Sequence, residues 1–152
     1  MEKQKYYKRG FTEKGMDEKL NYILDTCILV DYLRGEPSVY DLFVRDKEIK
    51  LSMSTITMME LMLGALNKRE VNYIQKAFRE IDIIYIDEDI SKMAERLVIQ
   101  YSKSHNLQID DALIAATSIK MNTKLITYNI ADFRYIPEIQ LYQLDIKTPV
   151  EG

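Results

Sequence analysis

Hydrophobic positions along this chain alternate between short continuous runs and longer stretches with helical spacing. The short runs are typical of buried strands and cover residues 22–24, 49–54, 83–86, 125–128 and 139–144. The intervening stretches predict a helix that ends at residue 33 and further helices over residues 39–45, 55–66, 69–81, 90–104 and 110–121. Strands that alternate with helices form parallel sheets covered on both faces. The pattern therefore predicts an α/β protein, a three-layer α/β/α sandwich around a central parallel five-stranded sheet.

Charge and composition narrow the classes of function. The 152 residues carry a formal net charge of −3, which argues against a broad basic surface for nucleic acid but not against a local one. With one cysteine, Cys27, and one histidine, His105, the chain has no internal disulfide framework and no zinc site built from Cys and His. No apolar stretch approaches the roughly 18 residues that a membrane span needs. We expect a soluble cytoplasmic protein without a membrane contact.

The beginning of the chain differs from the rest in charge. Residues 1–19 carry six Lys or Arg and four acids, whereas the remaining 133 residues carry 15 and 20. We interpret residues 1–19 as a flexible basic extension, or as an over-long start with Met16 as the true first residue. A basic arm that touches nucleic-acid phosphates is the weaker interpretation. One folded domain is predicted over residues 20–146, followed by a tail over residues 147–152.

An acid lies at the carboxyl end of the first predicted strand, where Asp25 and Thr26 follow an apolar run. Ligands of open α/β sheets bind at the carboxyl ends of strands, so Asp25 lies where such a fold places its chemistry. Asp and Thr are also good helix N-caps, and capping is an equal alternative for Asp25 taken alone.

Two further acids lie in apolar helical segments. Glu60 is the only charged residue in the segment 54–66, which puts it on or beside a buried face, with an exposed glutamate as the alternative. Asp111 begins a helix that continues with apolar residues, so it projects from an element of the core. Asp110 is expected to cap that helix and Asp111 to be the functional acid, although the two roles can be exchanged.

The fourth polar group follows the fourth predicted strand, in Asn129 and Asp132 of TYNIADF. Taken alone, Asp132 is also compatible with a solvated turn. Carboxylates that converge in one pocket repel each other and lose hydration unless a cation compensates. An oxygen-only set without His or Cys selects a hard cation, Mg²⁺ or Mn²⁺, which can activate a water for attack on a phosphodiester. The sequence therefore predicts nuclease chemistry.

Four segments, in order, resemble the PIN-domain family and, at this length, its VapC-type toxin ribonucleases. An acid after strand one, a glutamate in an apolar helix, D-A-L-I-A-A and T-x-N-x-x-D-F are each weak signals but are specific together. The resemblance spans about residues 21–144. The segments read YILDTCILVDYL, STITMMELMLG, DDALIAATSI and LITYNIADF.

This resemblance implies roles for individual residues. Asp25, Glu60 and Asp111 match the family's metal-binding acids. The family often places a fourth acid two residues after the threonine of a T-x-D segment, where this chain has Asn129. Asp132 is expected to replace it, as in members that read T-x-N-x-x-D-F. The residues expected to support the four acids are Thr26, Asp110, Thr127 and Asn129.

The resemblance also implies an activity and partners. The family implies Mg²⁺- or Mn²⁺-dependent cleavage of single-stranded or looped RNA, often transfer RNA, leaving a 5′ phosphate. A homodimer and an inhibitory VapB-type antitoxin are the implied protein partners. Basic residues near the ends of predicted elements are expected to flank an RNA groove, namely Arg34, Lys68, Arg69, Lys103 and Arg134.

Three alternatives stay open at the level of sequence. A receiver-like phosphoacceptor domain also collects acids at strand ends, but it needs an acidic pair near strand one and a lysine after its last strand. A phosphatase of the haloacid dehalogenase type needs a second Asp where this chain has Cys27. A degenerate PIN domain that only binds a partner is compatible with the altered position Asn129.

Overall fold

The computed structural model describes residues 20–44 and 49–144, so the predicted extension (1–19) and tail (147–152) lie outside the described residues. The strands are β1 (Leu20–Leu24), β2 (Ile49–Ser54), β3 (Asp82–Ile84), β4 (Lys124–Thr127) and β5 (Leu141–Gln143). They form one sheet in the order β3-β2-β1-β4-β5, and every pair of neighbours is parallel. The predicted five-stranded parallel sheet is confirmed.

Helices cover both faces of this sheet. Within the described residues they are α1 (Thr26–Leu33), α2 (Pro37–Val44), α3 (Thr55–Gly64), α4 (Lys68–Ala77), α5 (Glu88–Tyr101), α6 (Ile109–Lys120) and α7 (Ile130–Phe133). Successive strand residues point to opposite faces, so Leu24 joins a hydrophobic cluster with α1 to α4 while Ile23 joins a second cluster with α5 to α7. These two clusters make the predicted three-layer α/β/α sandwich.

Several element ends differ from the prediction because tertiary contacts override the local pattern. The helix expected over residues 69–81 ends at Ala77, since Phe78 leaves the helical conformation and is buried as the chain turns toward β3. The helix expected through residue 66 ends at Gly64, because Ala65 is extended. The short helix α7 was not predicted at all. A four-residue helix has too few positions to show a period.

The end of α6 follows its sequence closely. Asn122 adopts a positive φ of 50° directly after the C-cap residue Met121. Asparagine tolerates this left-handed conformation, which ends a helix and lets the chain turn into β4.

The order of the strands defines one preferred place for a site. Chain connections leave β1 toward β2 on one side, and β4 lies on its other side, so the direction of the sheet reverses between β1 and β4. Ligands of open α/β sheets bind outside the carboxyl ends of strands at such a reversal. The backbone N–H of Asp25 donates to the carbonyl of Ile126 at 2.9 Å, which fixes the end of β1 against β4. None of the helices in the described part of the chain is long and apolar enough to cross a membrane.

Candidate active site

Asp25 is both a helix cap and a buried acid. Its carboxylate accepts a hydrogen bond from the backbone N–H of Thr26 at 2.8 Å, which makes it the N-cap of α1. The second carboxylate oxygen accepts from the Thr127 hydroxyl at 2.7 Å and from the Cys27 thiol at 3.6 Å. Because Asp25 is only 5% exposed, these donors replace the water that it loses. The capping alternative is therefore correct without excluding a functional role.

Glu60 reaches the same place from helix α3. The hydroxyl of Thr26 donates to Glu60 Oε1 at 3.0 Å and lies 3.3 Å from the hydroxyl of Thr57, which is fully buried. Thr57 and Glu60 are three residues apart, so they share one face of α3. Glu60 thus points into the fold at the carboxyl ends of β1 and β2 and is half-buried rather than exposed.

Asp110 and Asp111 lie side by side in the first turn of α6. The N-cap is Gln108, which makes no side-chain capping hydrogen bond, so the prediction that Asp110 caps the helix is wrong. Asp110 instead accepts from the backbone N–H of Asp111 at 3.0 Å, and both side chains are half-buried. A helix N-terminus favours negative charge, which helps to hold two carboxylates there.

The two polar residues of the segment after β4, Asn129 and Asp132, contribute to the site in different ways. The hydroxyl of Thr127, fully buried, accepts from the backbone N–H of Asn129 at 2.9 Å while it donates to Asp25. Asn129 supports the site through its backbone and makes no side-chain cap to α7. Asp132 is exposed in α7, yet its charge raises the pKa of Asp111, so it lies within electrostatic reach of the other acids.

The acids of these segments repel one another. Burial, followed by the charges of Asp110, Asp25, Asp132 and Glu60, raises the pKa of Asp111 to about 7. Burial is also the main cause that raises the pKa of Glu60. The hydrogen bond from Thr26 opposes this effect, and the nearby carboxyl of Asp110 adds to it. Burial raises the pKa of Asp25 against the opposing effect of its hydrogen bonds.

This donor set fits a hard cation by its chemistry. It consists of carboxylate and hydroxyl oxygens, and a divalent ion would relieve the repulsion that raises these pKa values. In residues 20–44 and 49–144, no three His, Cys, Asp or Glu side chains are already gathered in a group that could hold one ion. The match of these residues to a divalent cation therefore rests on the chemistry and charge of the donors, and not on a preformed set of ligands around one position.

Sequence reasoning gave less weight to some residues that the fold brings to this cluster. Asp110 was expected as the cap and a supporting residue, Cys27 was used only to exclude other classes of protein and site, and Thr57 was not singled out. The spacing of Thr57 and Glu60 on one helix face was an available signal. The thiol contact of Cys27 was not, because it depends on where Asp25 and Thr127 meet. The five basic residues expected around a groove are all exposed.

Known proteins share this fold and these segments. The family model of the PIN domain matches residues 22–139. The chain is 33% identical over 122 residues to ribonuclease VapC19 of Mycobacterium tuberculosis, an alignment that covers 78% of this chain and 96% of that protein.

Two solved structures extend the match to the fold. A crystal structure of VapBC2 from Rickettsia felis, bound to a DNA fragment from their promoter, aligns with a TM-score of 0.69 and 26% identity, covering 83% of this chain and 100% of that chain. A toxin–antitoxin complex from Klebsiella pneumoniae aligns with a TM-score of 0.65 and 30% identity, covering 78% of this chain and 94% of that chain.

The chain belongs to the PIN-domain family, among its VapC-type ribonucleases. The receiver-like and haloacid dehalogenase alternatives are therefore wrong. The degenerate PIN domain remains as the alternative that an activity measurement has to decide.

Proposed function

We propose that this protein is a metal-dependent endoribonuclease, the toxin of a toxin–antitoxin pair. The observation that supports the proposal is the hydrogen-bonded chain that links Asp25, Thr26 and Glu60 at the carboxyl edge of the sheet. Carboxylates of two further segments act on this place by their charge. The charges of Asp25, Glu60, Asp110 and Asp132 all act on Asp111. A fold gains no stability from such repulsion, so we infer that the cluster is kept for a cation and its substrate phosphate.

In this proposal Mg²⁺ or Mn²⁺ is held by Asp25, Asp111, Glu60 and Asp132, with water completing its coordination. The ion supplies charge stabilisation for the phosphate and acidifies a bound water. Asp25 is held in one orientation by the hydrogen bonds from Thr26 and Thr127. Glu60 is oriented by the Thr26 hydroxyl, and the charge of Asp110 acts on it.

The proposed partners follow from the relatives. The Klebsiella pneumoniae relative is a toxin–antitoxin complex, and the Rickettsia felis relative is a VapBC complex on promoter DNA. We propose a VapB-type antitoxin, a homodimer and a cytoplasmic RNA substrate, transfer RNA among the candidates, for this chain. Exposed apolar side chains on α3 and α5, such as Leu63 and Ile99, are available for the protein contacts.

Asp25→Asn tests the proposal. Total bacterial RNA is incubated with each protein in Mn²⁺ or in EDTA, and new 5′-phosphate ends are mapped by ligation and sequencing. We expect the parent to cut at defined sites only with metal and the variant to cut orders of magnitude more slowly. Without metal the variant should be as stable as the parent or more stable by about 1 kcal/mol, because one repelling charge is gone while the cap is kept.

Asp89→Asn is the matched control, since Asp89 is an exposed carboxylate on α5 outside the cluster. It should cut RNA like the parent and keep the parent's rise in melting temperature with Mn²⁺, a rise that Asp25→Asn should lose. A folded parent that cuts no RNA in either metal would establish the degenerate binding module. An active Asp25→Asn would end the assignment of Asp25.

A further inference from the structure

Three aromatic rings lie beside the acid cluster and are not used by the proposed chemistry. We define them as the aromatic stack, Tyr101, His105 and Tyr135. The imidazole of His105 lies face to face with the Tyr135 ring, with 4.0 Å between centroids and an interplanar angle of 16°. Tyr101 closes the group by its edge, 5.0 Å from Tyr135 and 5.6 Å from His105.

The chain joins this stack to the acids from two directions. His105 lies in the connection that leads from α5 into α6, five residues before Asp110. Tyr135 follows α7, three residues after Asp132. Burial raises the pKa of Tyr135, and the charges of Asp111 and Asp132 add to this effect. The Tyr135 hydroxyl therefore lies within electrostatic reach of both carboxylates.

The stack is also held rigidly on its inner side and open on its outer side. Tyr101 and Tyr135 pack against the hydrophobic cluster of α5, α6 and α7. The backbone N–H of His105 donates to the carbonyl of Tyr101 at 3.0 Å, and its Nδ1 lies 2.8 Å from the Ser104 hydroxyl. His105 itself is exposed. Since Tyr135 covers one face of the imidazole and the residue is exposed, we infer that the other face is the accessible one.

Two cationic residues adjoin the stack in sequence: Lys103 lies two residues before His105, and Arg134 directly precedes Tyr135. Lys103 and Arg134 are exposed, and within the described residues neither takes part in an ion pair. An aromatic face with unpaired cations in the same segments, which also adjoin the acids, has the features with which proteins bind unpaired nucleotides: rings for the bases and cations for the backbone.

We propose that the outer face of His105, supported by Tyr135, is a stacking platform for an unpaired nucleobase next to the scissile phosphate. The proposal rests on the proposed ribonuclease function and extends it to the recognition of the substrate. It selects single-stranded or splayed-out RNA, because a base inside a duplex already has stacking partners on both faces. It also selects weakly among bases, since every base offers a π face.

The test compares His105→Ala with His105→Phe, which restores a flat ring. The probe is a short oligoribonucleotide that spans a site mapped in total RNA, made intact and with an abasic residue on either side of the cut. We expect His105→Ala to raise KM for the intact probe about tenfold, and His105→Phe to recover most of that loss. At one of the two abasic positions, the parent should fall to the level of His105→Ala, and the variant should lose nothing more.

Tyr73→Ala is the control, because Tyr73 is an exposed aromatic residue on α4, outside the aromatic stack. Its side chain is 62% exposed, and the variant should behave like the parent.

If His105→Ala cleaves all probes like the parent, or if its loss is the same with and without the base, the platform is wrong while the ribonuclease function stands. If the parent cuts no RNA, so that no site can be mapped, a labelled single-stranded oligoribonucleotide is used instead, intact and with one abasic residue. Binding in Mn²⁺ by fluorescence anisotropy that depends on the base and on His105 would then support the platform, while the ribonuclease function fails. A parent that neither binds nor cleaves the probes would overturn both.

Discussion

At the scale of the residue, one side chain can serve stability and chemistry together when its neighbours make the two compatible. Asp25 caps α1 with one oxygen, and the other oxygen accepts hydrogen bonds from Thr127 and Cys27. Burial raises the pKa of this carboxyl, and the hydrogen bonds from Thr127, Thr26 and Cys27 oppose that effect. Asp25 therefore has hydrogen-bond donors on both oxygens although its side chain is almost fully buried.

Asp111 gives a prediction about pH. Its pKa is 3.8 in an ordinary environment and is raised to about 7 in the fold. Between those two values the folded state binds more protons than the unfolded state, so the free energy of unfolding falls as pH rises across this window and levels off above it. Thermal melts in EDTA should show the melting temperature decreasing from about pH 4 toward pH 7. Asp111→Asn should flatten the decrease, because it also relieves its neighbours.

Glu80→Gln is the control for this series, since Glu80 is an exposed carboxylate that follows α4 and belongs neither to the acids of the site nor to the groove of α5 and α6. It should keep the decrease of the parent. A parent whose melting temperature rises across the same window in EDTA would contradict the repulsion argument, because stabilised carboxylates give the opposite sign.

Thr127 gives a second prediction at this scale. Its buried hydroxyl connects Asp25 to the backbone N–H of Asn129, so Thr127→Val keeps the shape but leaves both partners without their hydrogen bond. We expect a loss of stability of about 1–2 kcal/mol. Cleavage should fall about 10- to 100-fold, because a ligand without its supporting hydrogen bond is poorly oriented. Thr127→Ser should recover both, and equal activity of the Val variant would remove Thr127 from the supporting residues.

At the scale of the element, the helices that carry the acids differ from those that only cover the sheet. Helices α3 and α6 begin at the carboxyl edge and bring Glu60, Asp110 and Asp111 with them. Helix α4 begins after the end of α3 and carries none of the proposed metal ligands. A change at the start of α4 should therefore affect stability without affecting chemistry.

Asn67→Ala tests this separation. Asn67 is the N-cap of α4, and its side-chain oxygen accepts from the backbone N–H of Glu70 at 2.9 Å, while Glu70 accepts from the N–H of Leu66 at 3.1 Å. Loss of such a cap costs about 1 kcal/mol, which denaturant unfolding can measure. The rate of RNA cleavage per folded molecule should not change. Asn72→Ala, an exposed change in the middle of the same helix, should leave both quantities nearly unaltered.

At the scale of the whole molecule, the outer surface of α5 and α6 is the feature that a single chain leaves unexplained. Ile99 and Ile109 are 76% and 71% exposed and border a groove of about 310 Å³ whose lining includes Val98 and Leu113. Ile109 directly precedes Asp110, so a second copy packed here would bring two acid clusters toward one another.

Ile99→Asp should therefore shift the protein from twice the mass of one chain toward a single chain, measured by light scattering after size exclusion. The buried charge would have no partner in the interface. Leu63→Asp, which changes an equally exposed side chain on α3, should remain dimeric. If Leu63→Asp becomes monomeric and Ile99→Asp does not, the homodimer uses the α3 surface instead.

The sequence by itself determined the alternation of strands and helices, the five-stranded parallel sheet and the three acids Asp25, Glu60 and Asp111 as candidates. The elements follow from local periodicity, and the candidate acids follow from their positions in those elements and from the rule that ligands bind at the carboxyl ends of the strands. Periodicity and position can both be read along the chain. The relation of Asp132 to the other acids, through its effect on the pKa of Asp111, required the packed fold.

Only the tertiary structure decided how the pieces meet. Asp110 acts on Glu60 instead of capping α6, and this depends on where α6 begins relative to Glu60. The stack of His105 on Tyr135 joins two segments that are thirty residues apart in sequence. Likewise α4 ends at Ala77 because Phe78 is pulled into the core. Contacts between distant segments produce no periodic pattern in the sequence. Each of the two segments is compatible with many partners until packing of the core fixes one arrangement.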